Sequence, residues 1–150
     1  MSTISTHILD TAQGLPAPGI PVQLHRLKTA EPEPTGGAGA AAGSEPDASG
    51  GVGVNGHLEG AALTSADTTA DLSAVGSGTT DADGRVTDFG CGQLVPGIYQ
   101  LRFDVGVYAA ITGQEFFFPE VVVSFVVSDE RHYHVPLLLS PFAFSTYRGS

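Results

Sequence analysis

Positive charge is scarce in this chain: six Lys and Arg stand against 16 Asp and Glu in 150 residues. Nucleic-acid binding needs a basic surface that neutralises phosphates, so that class of partner is excluded. Cysteine is almost missing as well. The single Cys91 cannot close an internal disulfide, which points to a reducing compartment. No apolar run approaches the ~20 residues of a membrane helix, the densest being VVVSFVV at 121–127. Residues 1–25 lack the basic start and apolar stretch of a secretory signal. Together these absences predict a soluble cytoplasmic protein with no membrane partner, and the length fits one domain.

Aromatic residues are confined to the second half: all 12 lie between Phe89 and Tyr147. The stretch from Thr29 to about Gly78 has none and includes TGGAGAAAGSEPDASGGVGVNG. Nine acids and no base fall between Thr29 and Gly84, so the remainder, with seven acids and six bases, is nearly neutral. Gly, Ala, Ser and Pro bury too little apolar area to offset roughly 1–2 kcal/mol per residue of backbone ordering. Residues about 30–72 are therefore expected to form a disordered insertion in a single domain spanning 1–150.

The flanks carry strand signals. THILD (6–10) is followed by a Gly- and Pro-rich turn, and IPVQLHRLK (20–28) alternates apolar and polar residues in its first half. Asp83-Gly84 is a hairpin-turn signal that would hold Arg85 on the next strand. GIYQLRFD (97–104) alternates with a register break, offering Ile98, Leu101 and Phe103 to the core. Asp104 can cap a helix over VGVYAAIT that Gly113 would end. VVVSFVV is rich in β-branched residues, and Ser140-Pro141 separates two closing strands. Seven or eight short strands with one helix predict an all-β antiparallel sandwich.

Three features carry chemistry: His7 on the first strand, His132 and His134 near the end, and Arg85 after its turn. The two histidines of HYHVP are two residues apart and so share one strand face. Neutral imidazole suits general-base work near pH 7, and an arginine opposite it could hold a carbonyl or an oxyanion. Each residue also has an ordinary structural reading: a surface or capped His7, an exposed cross-strand pair, a solvated Arg85. His25 and His57 have no neighbours that suggest a role. Metal is disfavoured, because no second ligand cluster or acidic ligand at helical spacing accompanies the histidines.

THILDTAQGLPAPGIPVQL, TDADGR, PGIYQLRFD, FFFPEVVVSF and HYHVPLLLSPFAFSTYRGS together resemble 5-hydroxyisourate hydrolases, the transthyretin-related enzymes of urate breakdown. The resemblance covers roughly 1–28 and 79–150. It implies a transthyretin-like sandwich of two four-stranded sheets with one short helix, assembled as a homotetramer (a dimer of dimers) with active sites in a channel between dimers. It implies hydrolysis of 5-hydroxyisourate to a ureidoimidazoline carboxylate without metal or organic cofactor. By position, His7, Arg85, His134 and Ser150 would be catalytic, and His7, Arg85, Tyr147 and Arg148 would bind substrate. His132 and Gly149 would support them. An end aimed into that channel would bring a carboxylate and the Ser150 hydroxyl near cationic groups. The departure from the family is the insertion before TDADGR.

Two other functions fit a sandwich. A carrier of small aromatic ligands would use a mainly apolar pocket, which two histidines, an arginine and a tyrosine do not make. A structural or adhesive domain would leave those polar residues unexplained.

Overall fold

Branched and aromatic residues at every second position give a strand one apolar face, and two such faces closed together make a core. The computed structural model describes residues 2–28 and 71–150. In chain order these form β1 (Ile4–Asp10), β2 (Leu15–Pro16), β3 (Pro21–Leu27), β4 (Leu72–Thr79), β5 (Arg85–Val86) and β6 (Gly97–Phe103). The helix α1 (Val105–Thr112), β7 (Val121–Val127), β8 (Tyr133–Ser140) and β9 (Ala143–Thr146) follow. One sheet runs β2-β1-β8-β9, with β5 added against β1, and the other runs β4-β3-β6-β7. The expected two-sheet sandwich with one short helix is what the chain builds. The insertion expected at about 30–72 lies outside the described residues up to its end, where Leu72 opens β4.

The core is filled from both sheets. Ile8 of β1 and Leu137 and Leu139 of β8 meet Val22 and Leu24 of β3, Leu101 and Phe103 of β6 and Val121 of β7. Each large apolar side chain fully buried here contributes roughly 1.5–3 kcal/mol. Along β7 the alternation is plain: Val121, Val123 and Val127 are buried while Val122 and Val126 are exposed. Asp104 caps α1 by accepting from the Val107 amide, and Gly113 ends it at φ 67°, as its position predicts. No helix among the described residues is long and apolar enough to cross a membrane.

Three details differ from expectation. Ile98 is 37% exposed and Tyr99 takes the inward place, because 99, 101 and 103 alternate without any register break. A tyrosine can occupy that position because its hydroxyl donates to the Val95 carbonyl at 2.8 Å. The Asp83-Gly84 turn is tight, with the Gly84 amide donating to Asp81 O at 2.9 Å, but it is not a hairpin. It carries the chain from β4 in one sheet to β5 in the other. Finally, the sandwich is antiparallel except for β1 and β8, which run parallel in register from Ile4 opposite Tyr133 to Asp10 opposite Leu139.

The parallel pair is locked by buried polar groups. Thr6 donates its hydroxyl proton to the Val135 carbonyl at 2.6 Å. At the far end of β1 the buried Asp10 carboxylate accepts from the Tyr108 hydroxyl (2.7 Å), the Gln114 amide (2.9 Å) and the backbone amides of Ala12 and Gln13. Burial alone would raise the Asp10 pKa. The hydrogen bonds from Gln114, Tyr108, Gln13 and Ala12 outweigh it and hold the carboxylate below its ordinary range. Burial and the Asp10 charge push the Tyr108 hydroxyl well above the usual phenol range.

Candidate active site

With Ile4, Ile8, Tyr133, Val135 and Leu137 turned to the core, strand pleating sends Ser5, His7 and His134 to the opposite, outer face of their sheet. His7 stands opposite Arg85 on β5 and opposite Pro136 on β8, while Ser5 stands opposite His134. Residues directly opposite in a ladder share a face, so Arg85 projects beside His7. The turn before it sets that position: Arg85 donates its amide to Asp81 Oδ1 at 2.9 Å, and Gly84 sits at φ 71° with its carbonyl on the Ile8 amide. A Cβ on Gly84 would lie 2.5 Å from Ile8 O, so only glycine lets this turn reach β1.

The closing segment continues the β8–β9 register. Leu137 opposes Thr146, and farther along His134 bridges Gly149, whose amide donates to the His134 carbonyl at 2.9 Å. Gly149 lies so close on the His134 ring that a Cβ there would clash with Cδ2. By the same alternation Tyr147 projects to the outer face, where it is 58% exposed. Arg148 does not join it. Its guanidinium lies 5.2 Å from the Tyr133 ring centre, a cation–π contact that ties the segment to β8. Ser150 follows directly and is exposed. A cleft of about 270 Å³ between β7 and this segment has largely apolar walls, among them Val123, Phe125 and Tyr133, and touches the polar face at His134.

His134 is half-buried, and its pKa is pressed below the ordinary imidazole value by that burial, then by electrostatic interaction with Arg85, His132 and His7. A backbone hydrogen bond with Ser5 pulls more weakly the other way. The ring is therefore neutral at pH 7 and able to take a proton. The face thus unites His7, Arg85, His132 and His134 beneath Tyr147 and Gly149. Neither Ser5 nor Thr3 stands out in the sequence. Ser5 Oγ lies 2.8 Å from both His132 Nε2 and His134 Nδ1, and Thr3 Oγ1 lies 2.6 Å from His132 Nδ1. A serine two residues before a histidine carries no pattern of its own, and only the parallel pairing of β1 with β8 brings them together.

The other histidines stand apart. His25 is on β3 in the opposite sheet, its Nδ1 buried without a partner and its pKa lowered by burial and by Arg102. His57 lies outside the described residues. Among the described residues no three His, Cys, Asp or Glu side chains converge as a metal site. The groups present can remove a proton from water, hold a planar polar molecule and stabilise an oxyanion.

Comparison with known proteins agrees with this chemistry. The model of the HIUase/Transthyretin family matches residues 4–149. The 5-hydroxyisourate hydrolase of Mus musculus is 33% identical over 151 residues, covering 99% of this chain and 96% of the relative. The uric acid degradation bifunctional protein TTL of Arabidopsis thaliana is 35% identical over 153 residues, covering 98% of this chain, which spans only 37% of that longer protein. The solved structure of Klebsiella pneumoniae 5-hydroxyisourate hydrolase is similar with a TM-score of 0.65 and 30% identity, covering 100% of both chains.

Proposed function

The chain belongs to the HIUase/Transthyretin family, and we infer from that membership that it is a hydrolase converting 5-hydroxyisourate to 2-oxo-4-hydroxy-4-carboxy-5-ureidoimidazoline in urate degradation. The observation that carries the reading to this chain's own residues is the meeting of His7, Arg85 and a neutral His134 on one sheet face. Water is a poor nucleophile until a base takes its proton. His134 Nε2 takes it while His7 orients the water or the substrate. The new carbon–oxygen bond forms as the carbonyl electrons move onto oxygen, where the Arg85 guanidinium stabilises the charge. Collapse of this intermediate breaks the ring carbon–nitrogen bond. The leaving nitrogen takes the proton back from His134, and a carboxylate remains. Tyr147 and Ser150 hydrogen-bond the substrate ring, Gly149 holds the His134 ring in place, and Arg148 anchors the segment that presents them.

The same reading makes the working form a cytoplasmic homotetramer, a dimer of dimers with the histidine face lining the channel between dimers. Two features support assembly: both sheets end on open edge strands, β7 and β9, and Val122, Val126 and Phe144 near them are exposed. The test is the ultraviolet decay of freshly generated 5-hydroxyisourate with and without protein. Acceleration is expected, and His134→Ala and Arg85→Ala should each lower kcat/KM by about 10²–10⁴-fold with unchanged circular dichroism. Near-native rates in either variant reject its role. Native mass spectrometry should find four chains per particle.

A further inference from the structure

We propose that Ser5 is a positioning residue for His134, fixing its tautomer and joining it to His132 in a hydroxyl-bridged proton chain. The proposal rests on the hydrolase reading and adds to it a part on the opposite side of the ring from the substrate.

The geometry is a continuous line: Thr3 Oγ1 to His132 Nδ1 at 2.6 Å, His132 Nε2 to Ser5 Oγ at 2.8 Å, and Ser5 Oγ to His134 Nδ1 at 2.8 Å. Ser5 is buried at 8% exposure, while His132 opens to solvent. A hydroxyl has one proton, so between two ring nitrogens it donates to one and accepts from the other. If it donated to His134 Nδ1, the ring proton would sit on Nε2 and the base would have no lone pair for water. If it donates to His132 Nε2, then His134 carries Nδ1–H and its Nε2 lone pair is free. The positive charge of Arg85 acts on this ring and favours a lone pair over an N–H dipole on its open edge. His132, accepting at Nε2, then carries its proton on Nδ1 and donates it to Thr3.

In that arrangement the chain also moves charge. When Nε2 of His134 gains the proton of water, the Nδ1–H bond breaks and its proton passes to Ser5 Oγ. The former Ser5 proton passes to His132 Nε2. The positive charge ends on the exposed imidazole, away from Arg85 and His7, and no atom is gained or lost beyond the proton taken from water. The reverse transfer restores Nδ1–H as Nε2 protonates the leaving nitrogen.

The direction of the line is read by nitrogen-15 NMR of the His134 ring in the folded, substrate-free protein. Protonated Nδ1 with unprotonated Nε2 is expected in the wild type. In Ser5→Ala only the weaker backbone partner of the ring remains, so the Nε2–H share should rise, with kcat falling about 10–100-fold and KM changing less than about twofold. Ser5→Thr, which keeps the hydroxyl, should restore both the tautomer and the rate. An Nε2–H ring in the wild type, or an unchanged kcat in a folded Ser5→Ala, overturns the proposal. If the wild type itself does not accelerate 5-hydroxyisourate decay, the hydrolase reading fails, while the NMR result still decides the direction of the hydrogen bonds.

Discussion

Burial, and behind it electrostatic interaction with Arg85, His132 and His7, holds His134 below the ordinary imidazole value of 6.5. The folded state therefore binds its proton later than the unfolded chain does. The stability that a neutral His134 confers is complete above pH 6.5 and declines as the pH falls from there toward the folded value. The acid limb of kcat/KM should likewise have its midpoint below 6.5. Replacing Arg85 by Gln removes one of these interactions, so proton NMR should find the His134 midpoint raised toward 6.5; no movement would show that Arg85 does not act on the ring. At this scale the sequence was informative where a residue carries its own signal. Gly84 followed by Arg85 is such a case, because a turn residue fixes what comes next. It was silent about Ser5, whose partners lie 127 and 129 residues away. It misled at Ile98, where greater hydrophobicity outweighed a tyrosine able to satisfy its own hydroxyl.

Among the elements, the helix and most strands could be drawn from alternation and caps, since those are local properties. The direction of β1 against β8 could not, because parallel pairing leaves no mark in either strand and depends on the intervening connections. The groups that hold this pair are polar and mostly buried: Thr6 on the Val135 carbonyl, and Asp10 at the junction with α1. Asp10→Ala would leave the Tyr108 hydroxyl and the Gln114 amide without their acceptor, which costs about 3 kcal/mol. A urea unfolding curve should show a lower midpoint with little change in slope, and a loss under about 1 kcal/mol would mean that water replaces the carboxylate. Because the Asp10 pKa is depressed, its contribution is full above the ordinary carboxylate value of 3.8 and is lost as the pH falls through the lower folded value. The sheet bearing the histidines should therefore loosen in acid through this corner.

For the whole molecule, the acidic Gly- and Ala-rich stretch is the feature that departs from the family resemblance. Its flanks are well placed: Leu27 and Leu72 oppose each other at the end of the β3–β4 ladder, in the sheet that does not carry His7. Exchanging 29–70 for a four-residue turn containing Asn-Gly removes about three doublings of loop length, or ~2 kcal/mol of closure entropy. The shortened chain should melt several degrees higher and keep kcat/KM within about twofold; a collapse of turnover would give the stretch a part in catalysis. Two ends facing each other across neighbouring strands are also a natural splice point. A guest domain whose own termini lie about 5 Å apart could be grafted there, giving an enzyme that carries a fluorescent or affinity module on its flank while leaving the histidine-bearing face open.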